Sequence, residues 1–95
     1  MDYIKKEDKL AFISCIEVAL MRRGNTNYNF IVAKLASLYN CDVVDCFEHP
    51  EYLLTVLKQV YKEDYKSILD DIKLELDKLV GIEEMKAEFF KIMED

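Results

Sequence analysis

Backbone breakers are nearly missing from this chain, and where they stand fixes its fold class. Gly24, Pro50 and Gly81 are the only glycines and proline in 95 residues. Each stands between stretches whose apolar residues recur every three or four positions, never inside one. A β-rich domain of this length needs turn signals every ~8–12 residues, whereas a helical one needs them only where helices begin and end. The expectation is therefore an all-α fold, a bundle of four principal helices plus a C-terminal fifth helix, forming a single helical domain over residues 1–95. With 52% apolar and 34% charged residues, the chain has the makings of one packed core and no need of disulfide or metal staples.

The periodicity sets the helices. The first is expected from Glu7 to Arg23, with Leu10, Ile13, Ile16, Leu20 and Met21 on its face and Phe12, Cys15 and Ala19 widening it. Acidic Glu7 and Asp8 at its start and Arg22–Arg23 at its end complement the helix dipole, and Gly24 supplies the stop. Asn25 or Thr26 can cap a second helix from Asn27 to Tyr39, striped by Tyr28, Ile31, Leu35 and Leu38 and ended by Asn40. Asp42 can cap a single helical turn over Val43–Cys46. His49-Pro50-Glu51 reads as the start of a third helix running to Tyr61 and burying Leu53, Val56, Leu57 and Val60, because proline suits the first helical position. Lys62-Glu63-Asp64 is either a tight connection with Asp64 as cap or a bend in a longer helix. Tyr65, Ile68, Leu69, Ile72, Leu76 and Leu79 mark a fourth helix from Tyr65 to Val80, and Gly81 interrupts it. The fifth, Glu83 to Met93, carries Met85, Phe89 and Ile92 on one side with Phe90 and Met93 beside them.

Charge narrows the partners. Residues 1–40 hold six Lys/Arg against four Asp/Glu, a net of +2; residues 41–95 hold seven against fifteen, a net of −8. Nucleic-acid binding depends on neutralising phosphates, and Lys5, Lys6, Lys9, Arg22 and Arg23 are too few and too scattered to supply a basic stripe. A helix-turn-helix DNA reader is thereby disfavoured, and an anionic membrane surface is disfavoured by the same arithmetic. No stretch has the apolar length of a signal peptide or of a membrane span. An odd number of cysteines, three, then reads as free thiols in a reducing cytoplasm.

The search for chemistry returns little. Cys41, Cys46 and His49 fall within nine residues and are the candidate metal ligands. Structural zinc wants four ligands, usually as two close pairs, and the only other thiol, Cys15, lies on an apolar helix face where small core cysteines belong. His49 is the only histidine, so any Cys–His or acid–base scheme must run through it; the favoured alternative is that its ring caps the third helix. Glu63–Asp64, Asp70–Asp71 and Glu83–Glu84 are adjacent pairs pointing about 100° apart on a helix, so none forms a dyad by itself. Neither a glycine-rich phosphate loop nor an EF-hand loop is present. The chain is expected to be no enzyme and to need no cofactor.

The C-terminal helix is the better lead. Ile82, Met85, Phe89, Phe90, Ile92 and Met93 make it apolar over more than a narrow stripe, and Met with Phe suits adaptable contact surfaces. Ile82, Met85, Phe89, Phe90 and Met93 are the candidate partner-binding residues, with Tyr3 a further aromatic near a terminus expected to meet a partner. The partner is another protein or a second copy in a homodimer; the competing reading is that this helix only completes the core. The runner-up function is a small-molecule or metal sensor bundle with its site near Cys41, Cys46 and His49.

The run Tyr39-Asn40-Cys41-Asp42-Val43-Val44-Asp45-Cys46-Phe47-Glu48-His49-Pro50-Glu51-Tyr52-Leu53 resembles a small all-helical family of archaeal, chiefly thaumarchaeal, proteins, an output domain of Nitrosopumilus-type signalling chains. The matching pieces are Ala19–Gly24, Tyr28–Tyr39, Asp42–Asp45, His49–Leu53 and Tyr65–Leu79, covering about residues 10–79. Family members often carry a glycine between the third and fourth helices, where this chain has Lys62-Glu63-Asp64. The resemblance implies a cytoplasmic, non-enzymatic module coupled to signalling and carries over no ligand or catalytic residue. The function expected is a protein–protein interaction module of regulatory or signalling output type.

Overall fold

The structure, a computed structural model, describes residues 6–94. Tyr3 and Lys5, singled out above, lie outside the described residues. Five α-helices stand among those residues: α1 Lys6–Arg22, α2 Asn25–Tyr39, α3 Pro50–Tyr61, α4 Tyr65–Leu76 and α5 Glu83–Met93. A 3-10 turn over Val43–Phe47 leads into α3, and a second over Lys62–Asp64 joins α3 to α4. The all-α expectation is borne out.

Helices α1 to α4 close a ring in which α1 packs on α2 and α4, and α3 packs on α2 and α4. Helix α5 then docks against α3. One apolar cluster runs through the ring and α5, centred on fully buried Phe12, Ile16, Leu20, Ile31, Leu35, Leu53, Leu57, Ile68, Ile72, Leu76 and Met93. Each such aliphatic side chain stabilises the fold by about 1.5–3 kcal/mol relative to exposure. The connections therefore need little intrinsic stability of their own.

Local chemistry explains the ends. Gly24, at φ 128°, stands between α1 and α2, a conformation closed to side-chain-bearing residues. Helix α2 starts at Asn25, earlier than its capping residues implied, and no side chain caps it. The glycine turn alone sets the start. Asn40 adopts the left-handed conformation and donates its N–H to the Ala36 carbonyl at 3.1 Å, ending α2 as expected. Asp42 caps the following turn as expected: its carboxylate accepts the Asp45 N–H, and the Asp45 carboxylate accepts the Asp42 N–H at 3.0 Å. That reciprocal pair is a capping box built from two aspartates.

Four sequence expectations change. On α1 the buried face is Phe12, Ile13, Ile16, Ala19 and Leu20, while Leu10 and Met21 are 43% and 44% exposed. Two neighbours, α2 and α4, press on this helix and turn its inner face away from Leu10 and Met21. On α3, Tyr61 is buried in place of Val60, and Leu38 on α2 faces solvent. Helix α4 ends at Leu76 and not at Val80: the Lys78 and Leu79 N–H groups donate to Glu75 and Leu76, tightening the last turn, and Val80 is 86% exposed.

Candidate interaction groove

Helix α5 is apolar on two adjoining faces, and the fold uses them differently. Phe90 and Met93 turn into the core, and the Met93 carbonyl accepts a hydrogen bond from the Tyr65 hydroxyl of α4 at 2.6 Å. Met85 and Ile92 turn the other way, with buried Phe89 between the two faces. Phe89 meets Phe12 of α1 edge-on at 5.2 Å between centroids, and Phe12 meets Phe47 of the 3-10 turn at 5.6 Å. This T-shaped chain of rings ties α5 to α1 and to the turn.

Between that aromatic chain and the start of α3 lies an open groove of about 780 Å³. Phe12, Phe47, Pro50, Leu54, Met85, Phe89 and Ile92 make its apolar lining, and Glu48, Glu51, Glu88 and Lys91 make its polar rim. Three carboxylates stand there against one ammonium. Lys9 shares Glu48 at 2.9 Å, and His49 Nδ1 lies 3.2 Å from Glu51. Glu88 has no ion pair among the described residues. Local sequence accounts for the convergence. Pro50 and Leu54 are four apart on α3, and Met85, Glu88 and Ile92 share one face of α5 at three- and four-residue spacing.

Of the five residues proposed from sequence to meet a partner, the structure buries Phe89, Phe90 and Met93 at 5%, 8% and 0% exposure. Phe90 and Met93 are therefore core residues and not a docking surface; the α3 and α4 side chains that enclose them could not be seen from the pattern of α5 alone. Met85 lines the groove, and half-buried Ile82 lies at the N-terminal end of α5. Ile92, Leu54, Phe47 and Phe12 belong to the groove but were not proposed. Only Ile92 carried a signal, through its spacing from Met85.

The second candidate region does not assemble. Cys41 and Cys46 come together, but His49 does not cap α3 with its ring and does not join the thiols. The ring stacks on Tyr52 at 4.6 Å, and Tyr52 stacks in turn on Tyr39 at 4.1 Å. His49 holds the cap position, but no side-chain cap bond forms. Among the described residues no group of three His, Cys, Asp or Glu side chains is arranged to hold a metal ion. Burial pushes the Cys46 thiol up to about 12, and burial also raises Cys15 and Cys41, so the thiolate form is disfavoured at all three.

The arginines at the end of α1 are likewise engaged. Arg22 pairs with buried Glu75, while Arg23 pairs with Asp71 at 2.5 Å and also donates to the Ser67 hydroxyl. A smaller hollow of about 140 Å³ between Ala19, Arg22, Asp71, Leu74 and Glu75 is lined by these paired charges. No helix among the described residues is long and apolar enough to cross a membrane. Comparison with known proteins gives no match: no family model, curated protein or solved structure is significantly similar to this chain.

Proposed function

We propose that this chain is a non-enzymatic protein-interaction module that docks a partner in the groove beside α5. It would act as a regulatory or signalling output domain of the archaeal kind its central segment resembles. One observation carries the reading: α5 spends one apolar face on the core and leaves the adjoining face, Met85 and Ile92, lining an unfilled groove. A concave apolar lining with a few polar groups at its edge is the general form of a recognition site. The raised thiols, and the stacking of His49 on Tyr52, speak against a Cys–His nucleophile–base pair among the described residues. Three free cysteines fit a reducing cytoplasm.

A selection from a displayed library of random peptides tests this reading. Met85→Lys and Ile92→Lys variants, each checked for native circular dichroism, serve as counter-targets. The expected result is peptides that bind the native chain and lose binding to both variants. Peptides that bind all three proteins alike would place recognition elsewhere.

A further inference from the structure

We infer that the occupant of the groove is a cationic amphipathic helix of a protein partner. The inference rests on the groove being the docking site. Among the described residues there is no strand, so no sheet edge is offered for strand addition, and the rim holds no arginine cluster for a phosphorylated or acidic segment. What it does offer is a partly open apolar trough of about 780 Å³ whose rim sets Glu48, Glu51 and Glu88 against Lys91, with Lys9 already paired to Glu48.

An amphipathic helix presents apolar side chains at three- and four-residue spacing, which suits a trough, and carries its charges at the edges. The rim selects the sign of those charges. Glu48 and Glu51 are 54% and 56% exposed at the side chain, and Glu88 has no ion pair among the described residues. A lysine or arginine on the flank of the guest can therefore reach a carboxylate without any of them leaving water completely.

The same rim argues against a second copy. A two-fold dimer across this groove would bring Glu48, Glu51 and Glu88 of one copy toward those of the other. The chain's formal charge of −6 adds long-range repulsion to that contact and long-range attraction to a basic guest. Met85, unbranched and flexible, gives the lining room to adjust to different apolar anchors.

The test uses two synthetic probe helices of about 18 residues, long enough for five turns. Both carry leucines at the same heptad positions; one has a lysine polar face and the other a glutamate polar face. Binding to the native chain is followed by fluorescence anisotropy at low and at physiological salt, and mapped by amide chemical shifts. The lysine helix is expected to bind at least about tenfold tighter than the glutamate helix. Its shifts should centre on Phe47, Leu54, Met85 and Ile92. The double variant Glu51→Lys/Glu88→Lys is expected to erase the preference while leaving the fold intact.

Equal binding of both helices in the groove would overturn the charge inference and leave the docking site standing. Shifts centred away from the groove, or binding indifferent to Ile92→Lys, would overturn both. Binding of neither helix would overturn both as well. A dimer in light scattering that protects the α5 groove would replace the guest with a second copy.

Discussion

Helices α1 and α4 meet along a seam closed at two levels, whereas α3 and α5 meet on one side and leave the other side open. In the seam, Ile16, Ala19 and Leu20 of α1 and Ile72 and Leu76 of α4 are buried. Above them, Arg22 and Lys78 both reach Glu75, which is only 6% exposed, and Arg23 reaches Asp71. At the α3–α5 end, Phe90 and Met93 reach the core, but Leu54, Met85 and Ile92 border the groove. Both regions draw on the same few residue types. What separates them is burial: Glu75 of the seam is buried beside its cations, whereas Glu48 and Glu51 at the groove stay more than half exposed beside theirs, and Glu88 has no ion pair among the described residues. A closed seam stabilises; an edge of exposed carboxylates around apolar surface leaves that surface in contact with solvent.

The largest expected effect breaks the closed side. Ile16→Ala removes a side chain with no exposure from a place enclosed on all sides, and should cost about 2–5 kcal/mol in urea unfolding. Leu54→Ala, at the groove, removes a half-buried side chain and should cost about 1 kcal/mol. Comparable losses at the two sites would mean that the groove is packed in solution and the contrast is wrong.

Next comes the tether of α5. Tyr65→Phe deletes the hydroxyl bonded to the Met93 carbonyl at 2.6 Å and leaves a buried acceptor unpaired, for a loss of about 1–2 kcal/mol. Hydrogen exchange should speed up in α5 before it does in α1 or α4. The same phenol sharpens the comparison through pH. Burial, aided by nearby Glu94, pushes Tyr65 up to about 12, above the value near 10 of an unfolded tyrosine. A raised acid is favoured neutral in the folded chain, so its contribution is complete below about pH 10 and is lost as pH rises towards 12. Tyr28, raised to about 12 by burial and by its hydrogen bond to Glu17, adds to the same alkaline decline. In denaturation curves at stepped pH, Tyr65→Phe should flatten that decline without abolishing it.

What could be read in the sequence and what could not follows the same divide. The inner stripe of α4, the proline start of α3, the Asp42 cap and the Asn40 stop each depend on residues within a turn or two of one another. All were legible. The face that α1 buries depends on where α2 and α4 press against it, so Leu10 and Met21 looked like core residues and are not. Helix α5 showed too much apolar surface for one face, but its pattern could not say that Phe90 and Met93 turn inward while Met85 and Ile92 border a groove. Phe12 and Phe47 come from elements distant in the chain and could not be assigned to that groove at all. The ring of His49 was read as a cap because His-Pro-Glu favours one; stacking on Tyr52, three residues on, claimed it instead.

The ionic level of the seam offers a smaller effect. Arg22→Ala leaves Glu75 buried with Lys78 as its remaining cation and should cost about 1 kcal/mol, because Arg22 itself is largely exposed and its pairing is screened. Lys73→Ala breaks the exposed pair with Glu94, 3.3 Å apart, and should change stability by less than about 0.5 kcal/mol. Equal responses in thermal unfolding would show that burial of Glu75 does not distinguish the seam.

The one stabilising effect expected lies at the joint between the two regions. Lys62 adopts φ 51° and ψ −113°, a backbone region that favours glycine, as the chain passes from α3 into α4. Its side chain is exposed and gains nothing from that conformation, while its N–H donates to the Lys58 carbonyl and holds the turn. The conformation survives because buried Tyr61 on one side and Tyr65 on the other fix the two helices that the turn must connect. Strain of this kind costs about 1–3 kcal/mol, and glycine removes it at the expense of about 0.5–1 kcal/mol of unfolded-chain entropy. Lys62→Gly should therefore raise stability by about 0.5–1 kcal/mol in urea unfolding, with no change in peptide binding at the groove. A loss of stability would mean that the turn relaxes in solution. The angle between the α1–α4 seam and the α3–α5 end would then be set by packing alone.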